Sequence, residues 1–144
     1  MKTIGLVSCT KTKRLNPSPA KDLYMPSALF SKARAYSESA YDEWYVLSAK
    51  HGLLHPETLV EPYDVTLNNM GMAARREWGR RVWGDLQALL PGVIFFHAGI
   101  RYRETIVPIL REFNITFHIP LEGLRFGEQM AWYEEQLRRS QDVR

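Results

Sequence analysis

The sequence predicts one α/β domain, residues 1–144, built as a three-layer sandwich with helices on both faces of a four-stranded, mainly parallel sheet. Three observations lead to this fold class. Short β-rich runs alternate with stretches whose apolar residues recur at every third and fourth position. The runs are almost continuously apolar, as strands buried on both faces are. Strands separated by helices pair in parallel through right-handed crossovers.

The strands are expected at Thr3 to Val7, Trp44 to Leu47, Val93 to Phe96 and Ile115 to Ile119. The helices are expected at Ser27 to Ser39, Met70 to Leu90, Tyr102 to Phe113 and Gly127 to Arg139. Ser27 or the turn before it is suited to start the first helix. In the second helix Trp78, Val82, Trp83, Leu86 and Leu90 form a buried stripe, with Arg75, Arg76, Arg80 and Arg81 on the other side. Two connections are long, Ser8 to Pro26 and Ser48 to Asn69, and both follow carboxyl ends of strands. Long connections in compact domains are often functional, and open α/β sheets place ligands at that end.

Composition narrows the class. The chain has 45% hydrophobic and 24% charged residues, ordinary values for a globular domain. No apolar run approaches the roughly 20 residues of a membrane span, and the start Met1 to Val7 is too short for a signal peptide. A cytoplasmic protein with no membrane partner is expected. One cysteine and four scattered histidines match neither a disulfide framework nor zinc-ligand spacing, so no metal or cofactor is expected. The net charge is +3 with a pI near 9.1, the cations grouped at Lys11 to Arg14, Arg75 to Arg81, Arg101 to Arg103 and Arg138 to Arg139. This balance permits a polyanionic partner; solvated helix faces account for it equally.

The first long connection opens Ser8-Cys-Thr-Lys-Thr-Lys13. Neighbouring cations lower the pKa of a thiol or of each other, and an amine made neutral in this way becomes a nucleophile. The alternative is a buried Cys9 with Lys11 and Lys13 as solvated charges. No phosphate-loop glycine pattern is present. Tyr24 and Ser27 follow, where a helix start would aim amide donors at the crevice or merely cap a turn. The second connection carries Ser48-Ala-Lys-His-Gly52, then Glu61-Pro-Tyr-Asp64: a base in His51 or His55, a cation in Lys50, two carboxylates and the ring of Tyr63. A carboxylate that fixes an imidazole tautomer, beside a cation that keeps it ionised, is the arrangement general acid–base work requires. A loop with its own salt bridges is the alternative. His97-Ala-Gly99 ends the third strand and Tyr102 opens a helix, so a substrate base or anion would sit over Gly99. All three segments are expected to wall one crevice.

The pieces S-C-T-K-T-K, D-L-Y-x-x-S, L-S-A-K-H-G-L-L-x-P, E-P-Y-D-x-T-L, H-A-G-x-x-Y-R and P-L-E-G-L-x-x-G resemble those of small YaaA-like proteins, described as peroxide-stress-like or of unknown function and often phage-associated. They run from residue 8 to about 127. Cys9 and Lys13 also meet the cysteine-to-lysine spacing of the archaeosine synthase catalytic domain, although Arg14 stands where that motif continues with Pro-Tyr. Both resemblances imply a uracil-DNA-glycosylase-like fold with strand order 2-1-3-4; fold analogy alone does not establish a reaction.

Two functions follow as expectations. The first is an enzyme acting on a nucleobase, a nucleoside or a modified base in nucleic acid, DNA rather than RNA, by N-glycosidic cleavage or base modification. Asp64, His51, Lys13 and Lys50 would be catalytic, and Ser8, Cys9, Tyr24, Ser27, Ser48, Tyr63, His97, Gly99 and Tyr102 would bind substrate, with Tyr24 or Tyr63 stacking on the base. The second is a non-catalytic DNA-binding protein that uses the arginines of the second helix and the basic carboxyl end.

Overall fold

A computed structural model describes residues 1–142. Its strands are β1 (Thr3–Ser8), β2 (Ser18–Pro19), β3 (Glu43–Ser48), β4 (Gly52–Leu54), β5 (Leu59–Val60), β6 (Val93–His97) and β7 (Phe117–His118). Its helices are α1 (Ala20–Leu23), α2 (Ala28–Ala40), α3 (Met72–Gln87), α4 (Ile100–Arg103), α5 (Val107–Glu112) and α6 (Phe126–Asp142), with a single 3-10 turn at Leu67–Asn69.

The main sheet runs β4-β3-β1-β6-β7, and the four expected strands stand within it in the order second, first, third, fourth. β1 lies at its centre, parallel to β3 and β6, and its Ile4, Leu6 and Val7 are fully buried, as a strand covered on both faces requires. β6 and β7 are also parallel. The sheet has five strands rather than four, because the chain leaves β3 through a tight turn and returns antiparallel as β4. Gly52 ends that turn with φ +74°, a left-handed conformation that glycine adopts without steric cost. Three residues are too few for a periodic signal, so β4 escapes the sequence pattern.

The two long connections also prove structured. β2 in the first pairs antiparallel with β5 in the second, and the Ala20 and Lys21 amides donate to Thr58 O and Pro56 O. The loops that bring Lys13 and Tyr63 to the sheet are therefore fastened to each other.

Helix α2 starts where Ser27 Oγ accepts from Phe30 N. It packs against α6, with Lys32 and Glu134 paired at 3.3 Å and Tyr36 edge-on to Trp132. α3 buries Trp78, Val82 and Leu86, whereas Trp83 is half-buried and stacks on Phe113, and Leu90 lies beyond the helix end. Arg75 departs from the expected solvated face: it is 11% exposed and paired with Glu104 at 3.1 Å. The single helix expected over Tyr102 to Phe113 is two. Pro108, in the first turn of α5, cannot donate to the carbonyl of Glu104, and the helix is interrupted over Glu104, Thr105 and Ile106. The last expected strand contracts to Phe117–His118. Among the described residues no helix is long and apolar enough to cross a membrane.

Candidate functional site

The carboxyl ends of β1 and β3 carry a chain of hydroxyl groups beneath a lysine. β1 delivers Cys9, whose amide continues the ladder to Leu47 O at 2.8 Å. Its Sγ accepts from the Ala49 amide at 3.4 Å and lies 3.3 Å from the Tyr102 hydroxyl. β3 ends in the buried Ser48, whose Oγ accepts from the His51 amide at 3.0 Å and lies 2.7 Å from the Tyr63 hydroxyl. Tyr63 shares its hydroxyl with Tyr24 at 2.6 Å. Trp78 of α3 fastens the strand end from beneath, donating through Nε1 to Ser48 O at 2.9 Å and meeting Tyr102 edge-on.

Above this floor, Lys13 Nζ stands 4.6 Å from the Tyr63 ring centroid and donates to Lys11 O at 3.1 Å. The His51 ring meets Tyr63 edge-on at 5.5 Å. Asp64, next in sequence to Tyr63 and exposed, is close enough to act electrostatically on Lys13. Lys13 and His51 thus meet at one fixed phenol, with Asp64 the next residue along the chain.

The electrostatics follow from burial. Loss of water pulls the Lys13 amine below the usual lysine range, with Cys9 and Asp64 opposing. His51 is pulled below 6.5, first by burial and then by the cations Lys50 and Arg81, so its imidazole is neutral at pH 7. Burial raises Tyr24, Tyr63 and Tyr102, which stay protonated hydroxyls. The arrangement offers a neutral imidazole, an amine that releases its proton more readily than a solvated lysine, and a carboxylate, all within reach of solvent.

Several expected binding residues occupy other places. His97 does not wall this crevice. It is 6% exposed, with Nε2 bonded to the Tyr41 hydroxyl and Nδ1 to the Tyr133 hydroxyl, each at 2.6 Å. Tyr36 and Trp132 pack around the ring, and burial holds its pKa near 4. Both nitrogens are occupied within the core, so His97 has none left for a substrate. Tyr24 is fully buried and has no free face for stacking; it acts on the site through Tyr63. Ser27 caps α2. The Lys50 side chain is exposed and bears on the site through the charge it presents to His51.

Ser8, His97 and Gly99 instead line a cavity of about 360 Å³ at the carboxyl ends of β1 and β6. None of Cys9, Lys13, Ser48, His51, Tyr63 or Tyr102 lines it. The single expected crevice is two neighbouring sites joined through the Ser8-Cys9-Thr10 backbone. Arg103 and Gln129 of this cavity, and Trp78 beneath the first site, are not among the expected site residues, Arg103 being expected only to open a helix with Tyr102 and Trp78 only to line the core. Arg103 stands inside the H-A-G-x-x-Y-R piece, where it was available as a signal; Gln129 on α6 has no local pattern. Among the described residues no three His, Cys, Asp or Glu side chains are grouped to hold a metal ion.

Comparison with known proteins adds kinship without an activity. An uncharacterised protein of Bacillus subtilis (strain 168), YfjM, is 29% identical over 125 residues, which cover 78% of this chain and 79% of the relative. No solved structure matches the chain. A family model described as a family of unknown function, DUF6884, matches residues 4–135, and the chain belongs to that family.

Proposed function

We propose that the protein is an enzyme acting on a nucleobase, a nucleoside or a modified base in nucleic acid, by cleavage of the N-glycosidic bond, with modification of the base as the variant of the same reading. The observation that carries it is the meeting of Lys13 and His51 at the ring of Tyr63, whose hydroxyl Tyr24 and Ser48 hold, with the exposed Asp64 next in the chain. The resemblance to YaaA-like proteins, and more distantly to archaeosine synthase and uracil-DNA-glycosylase-like three-layer folds, supports the same substrate class.

In this reading neutral His51 takes a proton from water as the oxygen attacks C1′ of the sugar. The C1′–N bond breaks with its electron pair leaving on the base. The Lys13 ammonium, made a better acid by its lowered pKa, protonates or hydrogen-bonds that base. Asp64 offsets the positive charge that builds on the sugar. The products are the free base and a sugar bearing a new hydroxyl.

The test is incubation with nucleosides and with DNA carrying modified bases, followed by mass spectrometry of released bases. Release that falls by about 100-fold or more in His51→Ala and Lys13→Ala fits the size of general acid–base contributions. Turnover unchanged in both would remove this assignment.

A second reading, a non-catalytic DNA-binding protein, is favoured by the exposed Arg76, Arg80 and Arg81 of α3. It predicts affinity for DNA that falls steeply from low to moderate salt, because phosphate contacts release counterions.

A further inference from the structure

We propose that the cavity at the carboxyl ends of β1 and β6 is a binding site for a small organic anion with an apolar or aromatic body, held at its carboxylate or phosphate by Arg103. This site is distinct from the Tyr63 centre and does not depend on the reaction proposed there.

Its position is the first reason. The chain passes from β1 to β3 on one side and later to β6 on the other, so the strand order reverses between β1 and β6. In open α/β sheets the crevice outside the strand ends at such a reversal is where ligands bind. The second reason is the lining. The cavity of about 360 Å³ falls in the size range of small-molecule pockets. Phe30, Phe96, Leu121 and Leu124 give apolar walls, and Thr10 and Gln129 are among the few polar groups, the usual composition of a pocket that orients a mainly apolar ligand.

The third reason is Arg103. Its side chain is only 12% exposed. Nε donates to Ala98 O at 2.9 Å, and Nη1 lies 3.6 Å from Glu122, a carboxylate that is itself 68% exposed. A guanidinium has five donors, and burying it is costly unless a close anion compensates. Glu122 is too distant and too well hydrated to do so fully. A ligand carboxylate or phosphate accepting two parallel N–H bonds would complete the compensation. The other charge-capable groups of the cavity do not compete: His97 and Tyr133 are bonded to each other, and burial keeps His97 neutral.

Isothermal titration of the full chain with phenyl phosphate, phenylacetate and the neutral phenylacetamide tests the proposal, and the first two arms distinguish the head groups. At least one anion is expected to bind with one-to-one stoichiometry, at least tenfold more tightly than the amide. Arg103→Gln should remove that preference and Arg103→Lys should retain part of it, whereas Lys13→Ala should leave it intact. No binding at millimolar ligand, equal binding of amide and anions, or loss in Lys13→Ala with retention in Arg103→Gln would overturn the assignment. Should Arg103→Gln fail to fold, anion-induced NMR shifts in the unaltered protein decide: they belong at Gly99, Arg103 and Gln129, and shifts confined to Lys13 and His51 contradict it.

Discussion

His97 shows how a residue of plausible chemistry becomes structural. Its strand-end position fits a ligand contact, but two tyrosines bond both its nitrogens. Its folded pKa of about 4 lies below the unfolded 6.5, so the unfolded chain binds the extra proton between those values. Stability from this group is present above pH 6.5 and is lost as pH falls toward 4. By linkage the loss between pH 7 and pH 5 is about 2 kcal/mol. Urea denaturation at the two pH values should show it as a difference between the native protein and His97→Gln; equal pH dependence would show that the histidine titrates freely. Tyr63 makes the complementary case. Tyr63→Phe leaves the buried Tyr24 and Ser48 hydroxyls without their shared partner, an expected cost of about 1–3 kcal/mol. The denaturant midpoint should fall accordingly, and an unshifted midpoint would mean that the hydroxyl chain carries no net stability.

At the scale of elements, sequence periodicity located what is long and regular. The strand at Thr3 and the helices containing Phe30, Trp78 and Tyr133 are found because their buried faces repeat over several turns or residues. The misses have a common physical origin. β2, β4 and β5 are two or three residues each and exist through pairing with distant chain, which no local pattern records. The break between α4 and α5 was marked in the sequence by Pro108, whose missing N–H outweighs the apolar repeat. The same junction presses on α3. A Cβ at Gly79 would fall within the Thr105 side chain and 3.2 Å from its carbonyl oxygen, so Gly79→Ala must push the elements apart. The expected cost is about 1–3 kcal/mol, a melting temperature lower by about 3–10 °C for a chain of this length. A melting temperature unchanged or raised would show that helix propensity wins at this contact.

For the whole molecule, the distribution of groups across the sheet matters more than the total charge. The sequence expected the site residues after the first two strands, and Lys13 and His51 stand there against the Tyr63 ring, with Asp64 next to Tyr63 in the chain. It did not separate that site from the cavity between β1 and β6, because the face to which each strand-end side chain points depends on the pleat and on α2 and α6 packing over one side. The arginines of α3 also divide: Arg75 is committed to Glu104 and Arg81 donates to Lys50 O, leaving Arg76, and Arg80 with only an exposed pair to Glu77 at 2.8 Å, as the cations most open to a polyanion. The enzyme and DNA-binding readings therefore assign the work to different residues. The most direct measurement is base release by mass spectrometry from DNA carrying modified bases, run in parallel on His51→Gln, Lys13→Met and the Arg76→Ala/Arg80→Ala double variant. The account predicts release by the native protein, its loss in the first two variants and at most a modest decrease in the third. Release unaffected by the first two variants and abolished by the third would contradict the claim that the Tyr63 centre performs the chemistry.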